Sequence, residues 1–241
     1  MTETTARALL LDIEGTTTPI EFVHQTLFPF ARRQVGEFLQ RVNVDDDISA
    51  LQTEYLADLQ SGSELPPWQE ESRATLLKSA TEYVYWLMDR DRKSTALKSL
   101  QGKIWEEGYR RGSLRGKVYP DVRPAFTRWR QQQKAVCIFS SGSVLAQKLL
   151  FAHTAEGDLT SYLDAYFDTS TGAKTDAKSY RSICAGIGSP GEVVLFLSDT
   201  VAELDAARAA GLQTAQCLRP GSIEPETPTH NIIRNFDVVF P

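Results

Sequence analysis

The chain is short of cysteine, of long apolar runs and of surplus positive charge, and each shortage removes a class of protein. Cys137, Cys184 and Cys217 are the three cysteines among 241 residues, an odd count with no metal-ligand spacing. That excludes a disulfide framework and a cysteine-built zinc site. Cys137 and Cys217 lie in apolar runs, where a thiol behaves as a small hydrophobe. No run reaches the roughly 18–20 apolar residues that a membrane span needs. Met1 to Arg7 is polar and leads into a short apolar run, unlike a secretory signal. With free thiols, this points to the cytoplasm. Lys plus Arg total 26 against 31 Asp plus Glu, a net charge of −5. Such a balance argues against a partner among nucleic acids or anionic membranes. Internal repeats are absent, and no heptad pattern or apolar stripe calls for a partner chain, so a monomer is expected. Hydrophobic residues at 41% and charged residues at 24% describe an ordinary globular protein.

Four short apolar runs read as buried strands: Ala8 to Leu11, Ala135 to Phe139, Val193 to Leu197 and Leu212 to Leu218. Their near-continuous apolar character suits a sheet covered on both faces. Helical stretches at Asp121 to Gln132, Val144 to Ala152, Ser179 to Gly188 and Val201 to Ala210 alternate with them. The rhythm predicts an α/β, Rossmann-like parallel sheet with helices on both faces. Val238 to Phe240 reads as a late strand, and Arg219 to Asn231, with three prolines, as an irregular loop. More than 120 residues separate the first two strands, far more than a crossover needs. Apolar faces of helical period fill that stretch. One comprises Phe28, Ala31, Val35, Phe38, Leu39 and Val42; others centre on Leu51, Val84 and Leu100. Asn43 with Asp45 to Asp47, Gly62 to Pro67 and Asp89 to Ser94 read as breakers. An inserted all-helical cap domain at 18–117 is expected, interrupting a core made of 1–17 and 118–241.

In an open parallel sheet, ligands bind beyond the carboxyl ends of the strands. The first run ends in Asp12-Ile13-Glu14-Gly15-Thr16, the second in Ser140-Ser141-Gly142-Ser143, the third in Ser198-Asp199-Thr200. Acids converging from two strand ends repel one another unless a cation joins them. Oxygen ligands beside a phosphate favour Mg²⁺. A carboxylate there can attack phosphorus, and hydroxyls and amides opening a helix suit a phosphate oxygen. Lys174 is the better candidate for a balancing cation, with Lys178 as its rival. Plain alternatives stand beside each: Ser140 to Ser143 as a helix cap, Asp199 as another, Lys174 as a solvated lysine. His24, His153 and His230 are weaker candidates, and the basic stretch from Lys103 to Lys134 reads as a solvated face.

Asp12-x-Glu14-Gly15-Thr16 after a strand, then Ser140, a lysine and Ser198-Asp199, resembles the haloacid dehalogenase superfamily. That superfamily normally has Asp-x-Asp first. Glu14 in the second place, with Asp12 to Thr18, Phe28-Pro29, Gln147 to Leu150 and Tyr166 to Thr169, is similar to the enolase-phosphatases of methionine salvage. The resemblance implies a Mg²⁺-dependent enzyme acting on 2,3-diketo-5-methylthiopentyl-1-phosphate. This is enolised, and the phosphorylated enol is hydrolysed to the acireductone 1,2-dihydroxy-3-keto-5-methylthiopentene. It further implies Asp12 as nucleophile, with Asp12, Glu14 and Asp199 as metal ligands. Glu14 would bind through its backbone carbonyl and move a proton with its side chain. Ser140, Ser141 and Lys174 would hold the phosphate. Glu203, one helical turn after Asp199, would support it or face solvent. The cap aromatics Trp68, Tyr83, Tyr85, Trp86, Trp105 and Tyr109 are candidate contacts for the methylthio tail, with a place in the core as the plainer reading of each. A generic phosphatase of the same superfamily is the alternative, disfavoured by Glu14. A receiver module that accepts phosphate on aspartate is disfavoured by the helical insert, and a catalytically dead binding protein by the complete acid, serine and lysine set.

Overall fold

The computed structural model describes residues 5–41 and 43–241; Val42, placed above on an apolar helix face, lies outside them. The chain forms two compact units, one of residues up to Val23 together with Arg115–Pro241, the other of His24–Leu114. In chain order come β1 (Ala8–Leu11), a short α1 (Ile20–Phe22) and a π-helical turn, Val23–Leu27. Then follow α2 (Phe28–Arg41), α3 (Asp45–Gln60), α4 (Arg73–Asp89) and α5 (Thr95–Arg110). The remainder comprises α6 (Val122–Gln131), β2 (Ala135–Phe139), α7 (Val144–Ala152), β3 (Ala165–Phe167), α8 (Ala177–Ile187), β4 (Val194–Ser198), α9 (Val201–Ala209), β5 (Gln213–Cys217) and β6 (Asn231–Ile233). No helix among the described residues is long and apolar enough to cross a membrane.

The sheet is six-stranded and parallel, in the order β3-β2-β1-β4-β5-β6. β1 is central, so both its faces are covered and its four side chains are at most 1% exposed. That explains a run without alternation. Leu10, in register with Cys137 and Phe196, faces Tyr180, Ile183 and Leu204 of α8 and α9. Leu9 and Leu11 point to the opposite face, because side chains alternate along a strand. Each fully buried leucine contributes about 1.5–3 kcal/mol, enough to fix the register. The strand order reverses between β1 and β4, and such a switch point opens a crevice at the strand ends.

Several expectations need correction. Val238 to Phe240 is not a strand: Phe236–Val238 forms a 3₁₀ turn opened by the Asn235 side chain, which accepts from the Asp237 amide at 3.1 Å. The late strand is Asn231–Ile233, which pairs with β5; its Asn-Ile-Ile sequence is too short to show a period. β3, three half-buried residues, escaped notice for the same reason. Asp45 to Asp47 do not break a helix but form the first turn of α3, where acids favour the positive end of the helix dipole.

Within the helical unit, α2 and α3 each pack on α4 and α5. Ser72 opens α4 with a reciprocal capping box, and Ser94 caps α5. Buried Asp47 accepts from Lys103 at 2.7 Å, and buried Asp58 from the Tyr83 hydroxyl at 2.9 Å. Tyr83, Trp105 and Tyr109 are buried, whereas Trp68, Tyr85 and Trp86 are half-buried. Much of the basic stretch is consumed locally: Arg110 and Arg111 pair with glutamates one turn back, and Arg130 with Asp164.

Candidate active site

Asp12 is the first residue past β1. Its backbone amide donates to the Leu197 carbonyl of β4 at 3.0 Å, which places it at the switch point. The turn after it is tightly wound. The amides of Thr16, Thr17 and Thr18 all donate to the Ile13 carbonyl, and Gly15 donates to Thr18. The Thr17 hydroxyl donates to the Asp12 carbonyl at 3.1 Å. Half-buried Glu14 stands inside this turn, held by its bridge to Thr18. Gly15 has φ +68°, and a Cβ there would fall 2.1 Å from Asp199 Oδ2. Only glycine suits that conformation and that approach, so the exits of β1 and β4 meet at Gly15.

Lys174 reaches this point from the loop after β3. Its Nζ lies 2.5 Å from Asp12 Oδ1 and 2.7 Å from Glu203 Oε2. The loop is shaped to deliver it: Tyr180 donates its hydroxyl to the Lys174 carbonyl at 2.7 Å, and Ser179 to the Ala173 carbonyl at 2.7 Å. Burial alone would lower the Lys174 pKa, but Asp12 and Glu203 outweigh it and raise it; the ammonium stays charged. Glu203, on α9, also accepts from the Ser198 hydroxyl at 3.0 Å. Burial, then the charge of Asp12, push the Glu203 carboxyl up to about 7 against the pull of Lys174. Burial and Asp12 likewise raise Asp199. Lys178 is exposed at the start of α8, its backbone amide bound to the capping Asp176.

Ser140 is buried at the end of β2, its amide donating to the Phe167 carbonyl and its hydroxyl accepting from Gly142 N at 3.1 Å. Ser141 is exposed. The capping role belongs to Ser143, whose side chain accepts from the Ala146 amide. Asp199 is not a cap either; α9 starts after Thr200, whose hydroxyl donates to Asp199 Oδ1 at 2.9 Å. Two side chains to which the sequence assigns no role hold these loops. Gln147, 1% exposed, donates to the carbonyls of Gly142 and Phe167 at 2.9 and 2.8 Å. Asp168 accepts from Ser170 and from the Val144 amide. Both fall in strings, Gln147 to Leu150 and Tyr166 to Thr169, that carry the family resemblance. The histidines lie elsewhere: His230 is buried between Thr214 and Asp205, His153 faces the last turn of α7, and exposed His24 stacks obliquely on Phe28.

The structure thus gathers Asp12, Asp199, Glu203 and Lys174, three carboxylates against one ammonium. With all three ionised, two negative charges remain to be balanced. The donors are oxygens, which fits a hard divalent cation such as Mg²⁺. Among the described residues no three His, Cys, Asp or Glu side chains gather as a metal-ligand group. Two carboxylates would therefore share the ion with backbone oxygen and solvent, as Mg²⁺ commonly allows.

The chain matches the family model of the haloacid dehalogenase-like hydrolases over residues 6–211. It is 49% identical over 233 residues to the enolase-phosphatase E1 of Synechococcus elongatus, the match covering 95% of each chain. The protein of that name from Sorangium cellulosum is 47% identical over 237 residues, 98% of each chain. Among solved structures, the UTR4 protein of Saccharomyces cerevisiae superimposes with a TM-score of 0.78 at 35% identity, covering 97% of this chain and all 100% of that one. A dehalogenase at 17% identity and TM-score 0.53 shares the fold.

Proposed function

The chain belongs to the haloacid dehalogenase-like hydrolase family, and from that premise we propose that it is a bifunctional enolase-phosphatase of methionine salvage. Its substrate is 2,3-diketo-5-methylthiopentyl-1-phosphate and its products are the acireductone 1,2-dihydroxy-3-keto-5-methylthiopentene and phosphate. The observation that carries the reading is the pairing of Asp12 with Lys174 at 2.5 Å, where β1 and β4 diverge. Glu14 in the Asp12 turn distinguishes it from a generic phosphatase.

Asp12, Asp199 and the Glu14 backbone carbonyl would hold Mg²⁺. When bound, the cation shields negative charge on the phosphoryl group and on the enolising oxygens. In the first step the Glu14 side chain takes a proton from the carbon bearing the phosphate ester. The electron pair moves into the new C=C bond, the adjacent carbonyl becomes an enolate, and its oxygen takes the proton back from Glu14 to give the enol. That proton is acidic because a vicinal diketone stabilises the carbanion. In the second step an Asp12 carboxylate oxygen attacks phosphorus and the P–O bond to the enol breaks. Water then hydrolyses the aspartyl-phosphate. Ser140 and Ser141 hold the phosphoryl oxygens. Lys174 offsets their charge, and Glu203 keeps Lys174 in place. On this reading the helical unit, His24–Leu114, is the inserted cap domain. On the same reading the enzyme works in the cytoplasm as a monomer.

Turnover of the diketone phosphate, with ultraviolet absorbance and released phosphate followed together, tests the assignment. The expected result is an enol signal preceding phosphate, both lost in chelator and restored by Mg²⁺. Hydrolysis of simple phosphate esters with no action on the diketone would make the protein a generic phosphatase instead.

A further inference from the structure

The exit of β5 supplies no group to the proposed reaction, yet two of its polar side chains are buried. Gln216 is 5% exposed and Arg219 4%. Burying such groups is costly unless their polar atoms find partners. The partners they find are the backbones of the two acid-bearing loops. Gln216 stands opposite Ser198 in the β4–β5 register, and its Nε2 donates to the Asp199 carbonyl at 3.3 Å. Arg219 Nε donates to the Thr16 carbonyl at 2.8 Å. The guanidinium is clamped between the rings of Tyr119 and Phe236, 4.3 and 4.4 Å from their centroids. Its Nη1 pairs with Asp121 at 2.7 Å, and Asp121 also accepts from the Phe236 amide. A side chain held on so many sides fixes the carbonyl it touches.

Stability alone does not account for this arrangement. Arg219 Nη2 and Gln216 Oε1 are buried without a hydrogen-bond partner in the protein, and apolar side chains would avoid that cost. What the pair accomplishes is to tie Thr16 and Asp199 to one strand. Between those ties lies Gly15, already in contact with Asp199. We infer that Gln216 and Arg219 are positioning residues that set the spacing of Asp12 and Asp199, and through it the affinity for the divalent cation and the rate of phosphoryl transfer. The inference rests on the metal-binding role proposed for those two carboxylates.

Gln216→Met and Arg219→Lys test it. Gln216→Met keeps the length of the side chain and Arg219→Lys its charge, while the amide donor and the forked, stacked guanidinium are removed. Mg²⁺ binding would be measured by calorimetry, and kcat and KM on both the diketone phosphate and p-nitrophenyl phosphate at saturating Mg²⁺. Loss of outer partners of metal-binding groups typically costs about 10- to 100-fold in affinity or activity. We expect a loss of that size in Mg²⁺ affinity and kcat, with KM little changed and circular dichroism showing folded protein. Folded variants that lose only thermal stability, with Mg²⁺ affinity and kcat intact, would overturn the inference. If Arg219→Lys does not fold, Gln216→Met decides by the same readings. A wild-type chain that cleaves p-nitrophenyl phosphate but ignores the diketone overturns the substrate assignment alone, and the Mg²⁺ titrations still decide the positioning role. A wild-type chain that binds no Mg²⁺ overturns both.

Discussion

At the scale of single residues, the separation of two chemical tasks is the point most open to experiment. Asp12→Asn keeps the size of the side chain but removes the oxygen anion proposed as the nucleophile. Phosphate release should fall to background. The proton abstraction proposed for Glu14 needs no phospho-enzyme, so on that reading the phosphorylated enol should accumulate at high Mg²⁺, visible by ultraviolet absorbance and phosphorus NMR. Phosphate release at the wild-type rate would show that Asp12 is not the nucleophile. Lys174 offers a second contrast. It is largely enclosed and paired with two carboxylates, whereas Lys178, four positions on, is exposed. Lys174→Ala should cut kcat by on the order of 10²–10³, the typical loss for a preorganised electrostatic group. Lys178→Ala should leave kcat near wild type. A larger loss from the Lys178 change, with both variants folded, would dismantle the assignment.

At the scale of elements, the site is the meeting of two strand exits, and Gly15 is where they touch. Gly15→Ala would hold a Cβ in left-handed backbone at φ +68° and drive it into Asp199 Oδ2. The backbone penalty alone is about 1–2 kcal/mol. The larger effect should be on rate, since a displacement of about 1 Å can cost on the order of 10²-fold. Steady-state kinetics and a thermal melt of the same preparation would check it: a wild-type kcat would mean that Asp199 need not stay where Gly15 lets it lie. The same scale shows why some parts of the chain were readable. Strands β1 and β2 and helix α7 lie where their sequences place them, because full burial demands unbroken apolar runs and a serine marks the helix start. Strands β3 and β6 have three residues each, too few for a period, and their place comes from pairing with neighbours. Asp12, Ser140 and Asp199 were legible because a strand exit is a position in sequence. Gln216 and Arg219 were not, because their partners are distant backbone carbonyls that no local pattern reveals.

At the scale of the whole molecule, the carboxylate cluster ties stability to pH and, on the proposed reading, to the metal as well. Glu203 moves from an ordinary value of 4.5 to about 7 through burial and the charge of Asp12, and Asp199 shifts the same way. A carboxyl whose folded pKa lies above its unfolded one binds its proton more tightly in the native state. Its contribution to stability is therefore fully present below the unfolded value, about 4.5, and is lost as pH rises through about 7. In chelator, the melting temperature of the wild type should fall across that window relative to Glu203→Gln, whose neutral amide does not titrate. Mg²⁺ acts in the opposite direction. On the proposed reading it binds the carboxylates of Asp12 and Asp199, and because Asp199 is held above its usual range, Mg²⁺ affinity rises as that proton leaves. A ligand at about 100 times its dissociation constant stabilises the native state by about 2.7 kcal/mol. The upward shift in melting temperature on adding Mg²⁺ should accordingly be larger at pH 8 than at pH 5. Differential scanning fluorimetry at both pH values, with chelator and with saturating Mg²⁺, measures this directly. A shift of equal size at the two pH values would mean that the ion binds away from Asp12 and Asp199.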